Sequence, residues 1–167
     1  MIGYRVRHWA SALLAVGAVA GAAVACGTRG DPDPGGKILA ALMTVEQAVP
    51  HDARITLHQE YEPRWDSCDG RADTAGWSNP IVIVQFTTDE SADTLVADTN
   101  TTLLTQGWQL TTRSSTDFGP SVGWTRTAAG STVANATLQP FTGSAGRAIT
   151  WELVATAPPN GRQASGC

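Results

Sequence analysis

At 167 residues the chain has room for one compact domain, and its excess of acid, 15 Asp and Glu against 11 Lys and Arg, argues against a general nucleic-acid binder, which needs clustered cations to neutralise phosphates. With Arg5 and Arg7 set aside as part of a leader, 9 basic residues face 15 acidic ones, a balance of −6. Charged residues are 16% of the chain and hydrophobic residues 42%, so Thr, Ser, Gln and Asn must supply much of the polar surface, as in an extracytoplasmic Thr-rich β domain rather than a disordered segment.

The chain opens with Met1 to Trp9, which carries Arg5, Arg7 and His8 and no acid, followed by an apolar run of small residues from Ala10 to Val24. A charged start, a short apolar stretch and small residues at its end read as a secretory signal peptide over residues 1–25. The run is rich in Ala and Gly and falls short of the roughly 20 strongly apolar residues that cross a bilayer. Arg5 and Arg7 are separated by Val6, so general secretion fits better than the twin-arginine route.

The run ends at Ala23-Val24-Ala25-Cys26. These residues resemble the lipobox of bacterial lipoproteins, with Ala23 standing where that family usually has Leu. The resemblance implies that Cys26 is diacylated on sulfur, becomes the mature N-terminus and holds the protein at the outer face of the cytoplasmic membrane. Two acyl chains suit stable anchoring, which a single chain does not provide. Ala23-x-Ala25 also satisfies an ordinary A-x-A cleavage site, and on that alternative Cys26 is the first residue of a freely secreted chain. The three cysteines, Cys26, Cys68 and Cys167, favour the anchored reading, because acylating Cys26 leaves an even pair, Cys68 and Cys167, to form a disulfide in an oxidising compartment.

Residues 26–36, from the lipidated Cys26 through alternating Pro and paired Gly, read as a tether. A single domain is expected over 37–156. Ile38, Ala41, Leu42, Val45 and Val49 recur at helical spacing, and Pro50 ends the helix. Arg54 to Tyr61 alternates as a strand, with Ile55, Leu57, Gln59 and Tyr61 on one side and Thr56, His58 and Glu60 on the other. Glu62 to Pro80 is a long loop that needs a fastener, and it holds Trp65, Cys68 and Trp77 among Asp66, Asp69 and Asp73. Ile81 to Phe86 is a buried strand. Thr87 and Glu90 have the spacing of a capping box, ahead of a helix from about Ser91 to Gln106 with Ala92, Leu95, Val96, Thr99 and Leu103 inward and Gly107 as its stop. Strands follow at Trp108 to Arg113, Ser121 to Arg126, Thr132 to Leu138 and Ala148 to Val154. Pro140 belongs at a strand end or sheet edge, because it has no amide to donate. The order of helix, two strands, helix and four strands predicts an α+β fold, an antiparallel sheet of five to six strands with two helices on one face. Residues 157–167 form an extended tail that the Cys68–Cys167 disulfide would fasten.

The plan of short leader, lipobox, α+β body, Trp-and-Cys loop and terminal Gly-Cys is similar to that of small secreted lipoproteins of actinobacteria, a resemblance that implies a location and no activity. The sequence carries no motif for a catalytic set, metal centre or cofactor. His51 and His58 are seven residues apart, which puts them on opposite strand faces. Asp66, Asp69 and Asp73 depart from the EF-hand pattern, with Gly70 at its fifth place and Trp77 at its twelfth. No nucleophile elbow or phosphate loop is present. Trp108, Trp124 and Trp151 alternate in phase with core residues, whereas Trp65 and Trp77 are the candidates for contact with an envelope protein or glycan. The expectation is a non-catalytic binding or interaction module, and the alternative is an envelope glycan hydrolase using the carboxylates of Glu60 and Glu62.

Overall fold

The computed structural model describes residues 30–66, 75–141, 149–161 and 163. Its centre is a six-stranded antiparallel sheet built from β1 (Arg54–Tyr61), β4 (Ile81–Thr87), β5 (Gln109–Thr116), β6 (Gly119–Ala129), β7 (Thr132–Phe141) and β8 (Thr150–Thr156), in the order β1-β4-β8-β7-β6-β5. A second, two-stranded sheet pairs β2 (Trp65–Asp66) with β3 (Gly76–Trp77). The helices are α1 (Lys37–Met43), continued by a 3-10 turn over Thr44–Ala48, and α2 (Ala92–Thr105). The α+β class, the sheet and the two helices agree with the sequence pattern.

Strict alternation puts Val82, Val84 and Phe86 of β4 and Trp151, Leu153 and Ala155 of β8 on one face, where they form a single apolar cluster with Ile38 and Leu42 of α1, Val45 of the 3-10 turn and Leu95 and Leu103 of α2. Burying such side chains contributes roughly 1.5–3 kcal/mol each relative to leaving them in water. Three tryptophans complete this core. Trp108 and Trp124 are fully buried and satisfy their indole N–H groups on Thr44 Oγ1 at 3.1 Å and Asn100 Oδ1 at 3.0 Å, and Trp151 packs among the apolar strands.

Several local expectations change. The first helical segment tightens into the 3-10 turn after Met43, which keeps Val45 and Ala48 buried ahead of Pro50. The cap of α2 is Ser91, whose Oγ accepts from the Thr94 amide at 3.2 Å, and Thr87 is instead the last residue of β4. Thr88 takes the local turn bond, accepting from the Glu90 amide at 3.2 Å. In β1 the register shifts between Ile55 and Leu57, opposite Phe86 and Gln85 respectively. This bulge at Thr56 moves Ile55 to the same face as His58 and Glu60, where simple alternation had set it opposite them. Pro140 is the penultimate residue of β7, an interior strand, so it sits at a strand end and away from the sheet edge. The body also starts earlier than Lys37: the Asp33 carboxylate accepts from the Ile38 and Leu39 amides at 2.6 and 2.9 Å, closing the open end of α1.

Candidate functional site

The antiparallel register fixes which residues share an end of the sheet. Tyr61, Ile81, Thr156 and Asn135 form a row at one end, and Arg54, Thr87, Thr150 and Phe141 form a row at the other. The segment from Tyr61 to Ile81 leaves and re-enters at the first end, so the β2–β3 ladder belongs there. That ladder matches Trp65 with Trp77 and Asp66 with Gly76, and the two indoles meet edge to face with centroids 5.4 Å apart and planes at 78°. Reciprocal bonds close its base, from the Ser78 amide to the Arg64 carbonyl at 2.8 Å and from the Arg64 amide to Ser78 Oγ at 2.9 Å. Hence the long segment is clamped by main-chain pairing at its two ends. Trp77 also forms a parallel bridge with Gln163, and the Asn160 amide donates to the Pro32 carbonyl at 2.7 Å. The beginning of the described chain, its last residues and the tryptophan pair are thereby gathered at one end.

The sheet face away from the helices is half-exposed and largely polar. Across its middle, Glu152 of β8 accepts from Gln85 of β4 at 2.8 Å and from Gln139 of β7 at 3.4 Å. On the same face Ser121 of β6 stands opposite Ser114 of β5. Gly123 lies on the same face two residues along, where a Cβ would come within 2.5 Å of Thr112 Oγ1, so the Thr-rich bulge of β5 requires glycine opposite it.

On the helix side, at the β1 edge, His58 and Glu60 face the same way because they stand opposite Val84 and Val82. Glu46 in the 3-10 turn reaches over them. His58 Nε2 lies 2.9 Å from Glu46 Oε1 and 3.6 Å from Glu60 Oε1, and all three donor atoms fall within 4.8 Å of one another. The cluster is not legible in the sequence, since Glu46 comes from a separate element twelve residues before His58. The H-x-E spacing on an alternating strand was the available signal. His51 sits in the turn before β1 rather than on the strand, and Glu62 follows the last residue of β1, so only Glu60 of the two carboxylates lies on the strand.

A shallow hollow between α2 and the turn before β1 is lined by His51, Asp52, Glu90 and Asp98. Glu90 Oε2 is enclosed with no hydrogen-bond partner among the described residues, and removal from water, then the charges of Asp52 and Asp98, raise its carboxyl above the ordinary value. Cys26, Cys68, Cys167, Asp69 and Asp73, together with the signal peptide over 1–25, lie outside the described residues. Among the described residues no helix is long and apolar enough to cross a membrane. No protein-family model, curated protein or solved structure gives a significant match to the chain.

Proposed function

We propose that the chain is a lipoprotein anchored through Cys26 at the outer face of the cytoplasmic membrane, and that its α+β body is a non-catalytic module binding an envelope protein or glycan at Trp65 and Trp77. The observation that carries this reading is the clamped, edge-to-face tryptophan pair at the sheet end where the N-terminal segment meets the body. Paired aromatics held on a short ladder lose little entropy on contact, which is why such residues dominate binding energetics. A Cys68–Cys167 disulfide belongs to the same reading. The hydrolase alternative has less support, because of its two carboxylates only Glu60 lies on β1.

The test is cross-linking in the native envelope from a photoreactive residue placed at Ser78, beside the pair. A discrete adduct is expected, lost in Trp65→Ala and Trp77→Ala proteins that retain the far-ultraviolet dichroism of the parent. Adducts that persist in both variants would overturn the reading, as would turnover of an envelope polymer that Glu60→Gln abolishes. Mass spectrometry of the mature N-terminus checks the anchor. A chain beginning at Cys26 with an unmodified thiol contradicts it.

A further inference from the structure

We infer that Glu46, His58 and Glu60 form a binding site for a divalent transition-metal ion, with zinc the best fit. The inference concerns side chains other than the tryptophan pair and stands whether or not that pair binds a partner.

The geometry argues it first. Zinc bonds to imidazole nitrogen and carboxylate oxygen are about 2.0–2.2 Å long, so neighbouring ligand atoms in a tetrahedral site lie roughly 3.3 Å apart. The separations here, 2.9 Å from His58 Nε2 to Glu46 Oε1 and 3.6 Å to Glu60 Oε1, bracket that value. The third side of the triangle is within 4.8 Å and closes toward it by a small torsional change in either glutamate, both of which are partly exposed.

Charge argues it next. Two carboxylates converge on one imidazole, and among the described residues no lysine or arginine pairs with either of them. A bound dication neutralises both acids at once, which one imidazole cannot do. The ligand set then decides the class of ion: an imidazole with two carboxylates suits zinc and its neighbours, whereas calcium and magnesium take oxygen alone. Three protein ligands leave a fourth position to water, on the exposed side of the β1 edge.

Position supplies the consequence. Glu46 belongs to the 3-10 turn and the other two ligands to β1, so an ion would tie the helical layer directly to an edge strand. A ligand that binds only the folded chain raises its stability with concentration. Zinc is therefore expected to raise the thermal midpoint as well as to bind.

The experiment uses the full chain without a histidine tag, titrated with cobalt(II) and followed by its visible d–d absorption, then displaced with zinc. One equivalent is expected to bind and to be released by zinc but not by millimolar calcium. His58→Ala is expected to abolish the absorption and Glu46→Gln or Glu60→Gln to weaken binding at least tenfold, whereas His51→Ala, outside the cluster, leaves it unchanged. The cluster is solvent-accessible, so these variants should fold, and the zinc-dependent rise in midpoint should vanish with His58. Binding that survives His58→Ala, release of cobalt by calcium, or no saturable binding by the parent chain would overturn the inference.

Discussion

A carboxylate oxygen of Glu90 is enclosed without a partner among the described residues, and the neighbouring charges on the hollow are Asp52 and Asp98, with His51 alongside. Loss of water and these two acids make the ionised form costly, so folding raises the carboxyl above its unfolded value. A raised carboxyl holds its proton better in the folded chain. The associated stability is therefore fully present at acid pH, below the unfolded value, and is lost as pH rises through the folded one. Glu90→Gln removes the charge and keeps the shape. Its urea midpoint should exceed that of the parent at neutral pH, and the gap should close on acidification to about pH 4, near the ordinary carboxylate range. A variant less stable than the parent at neutral pH would show that the ionised carboxylate is satisfied.

Ser91 decides how α2 begins, since its hydroxyl occupies one of the amides that a helix start leaves unpaired. Ser91→Ala should cost about 1 kcal/mol in chemical unfolding. Thr87→Ala, by contrast, touches no amide of the helix start and should change stability by a few tenths. Equal losses would restore the capping box at Thr87 and Glu90. The body and stop of α2 were legible in the sequence. The stripe of Leu95, Val96, Thr99 and Leu103 is buried and Gly107, at φ +84°, follows the helix, because a regular period and a left-handed backbone leave strong marks. The cap was ambiguous, with Thr87, Thr88 and Ser91 all within four residues and strand pairing to β8 claiming Thr87. The bulge at Thr56 left no mark either, since an extra residue in a ladder is a property of two strands together. For the same reason Trp65 and Trp77 stood out as residues but not as an edge-to-face pair. Glu46 gained a role only when the 3-10 turn was laid over β1.

One end of the sheet gathers the first and last described residues, and the other does not. Asp31 and Pro32 are bound to Asn160, Gln163 bridges to Trp77, and Trp77 faces Trp65 across its ladder. A tether from Cys26 to Asp31 extends at most roughly 18 Å, so anchoring at Cys26 would keep the tryptophan end close to the bilayer. The same convergence supports the proposed disulfide. Cys68 lies two residues beyond Asp66 in β2, and Cys167 lies four beyond Gln163, a reach of at most roughly 14 Å. A further bond from Gln163 Nε2 to Asn79 Oδ1 at 3.0 Å holds the tail against the strand-side base of that segment. Closing a loop of about 100 residues contributes roughly 4.7 kcal/mol when the effect is assigned to unfolded-chain entropy. Non-reducing peptide mapping of protein taken from the envelope should therefore recover the Cys68 and Cys167 peptides joined. Reduction should lower the unfolding midpoint, and Cys68→Ser and Cys167→Ser should each lower it to the level of the reduced parent, with no further loss in the double variant. Free thiols at both positions in envelope-derived protein would exclude the bond, leaving the β2–β3 ladder and the Trp77–Gln163 bridge to hold this end of the molecule without it.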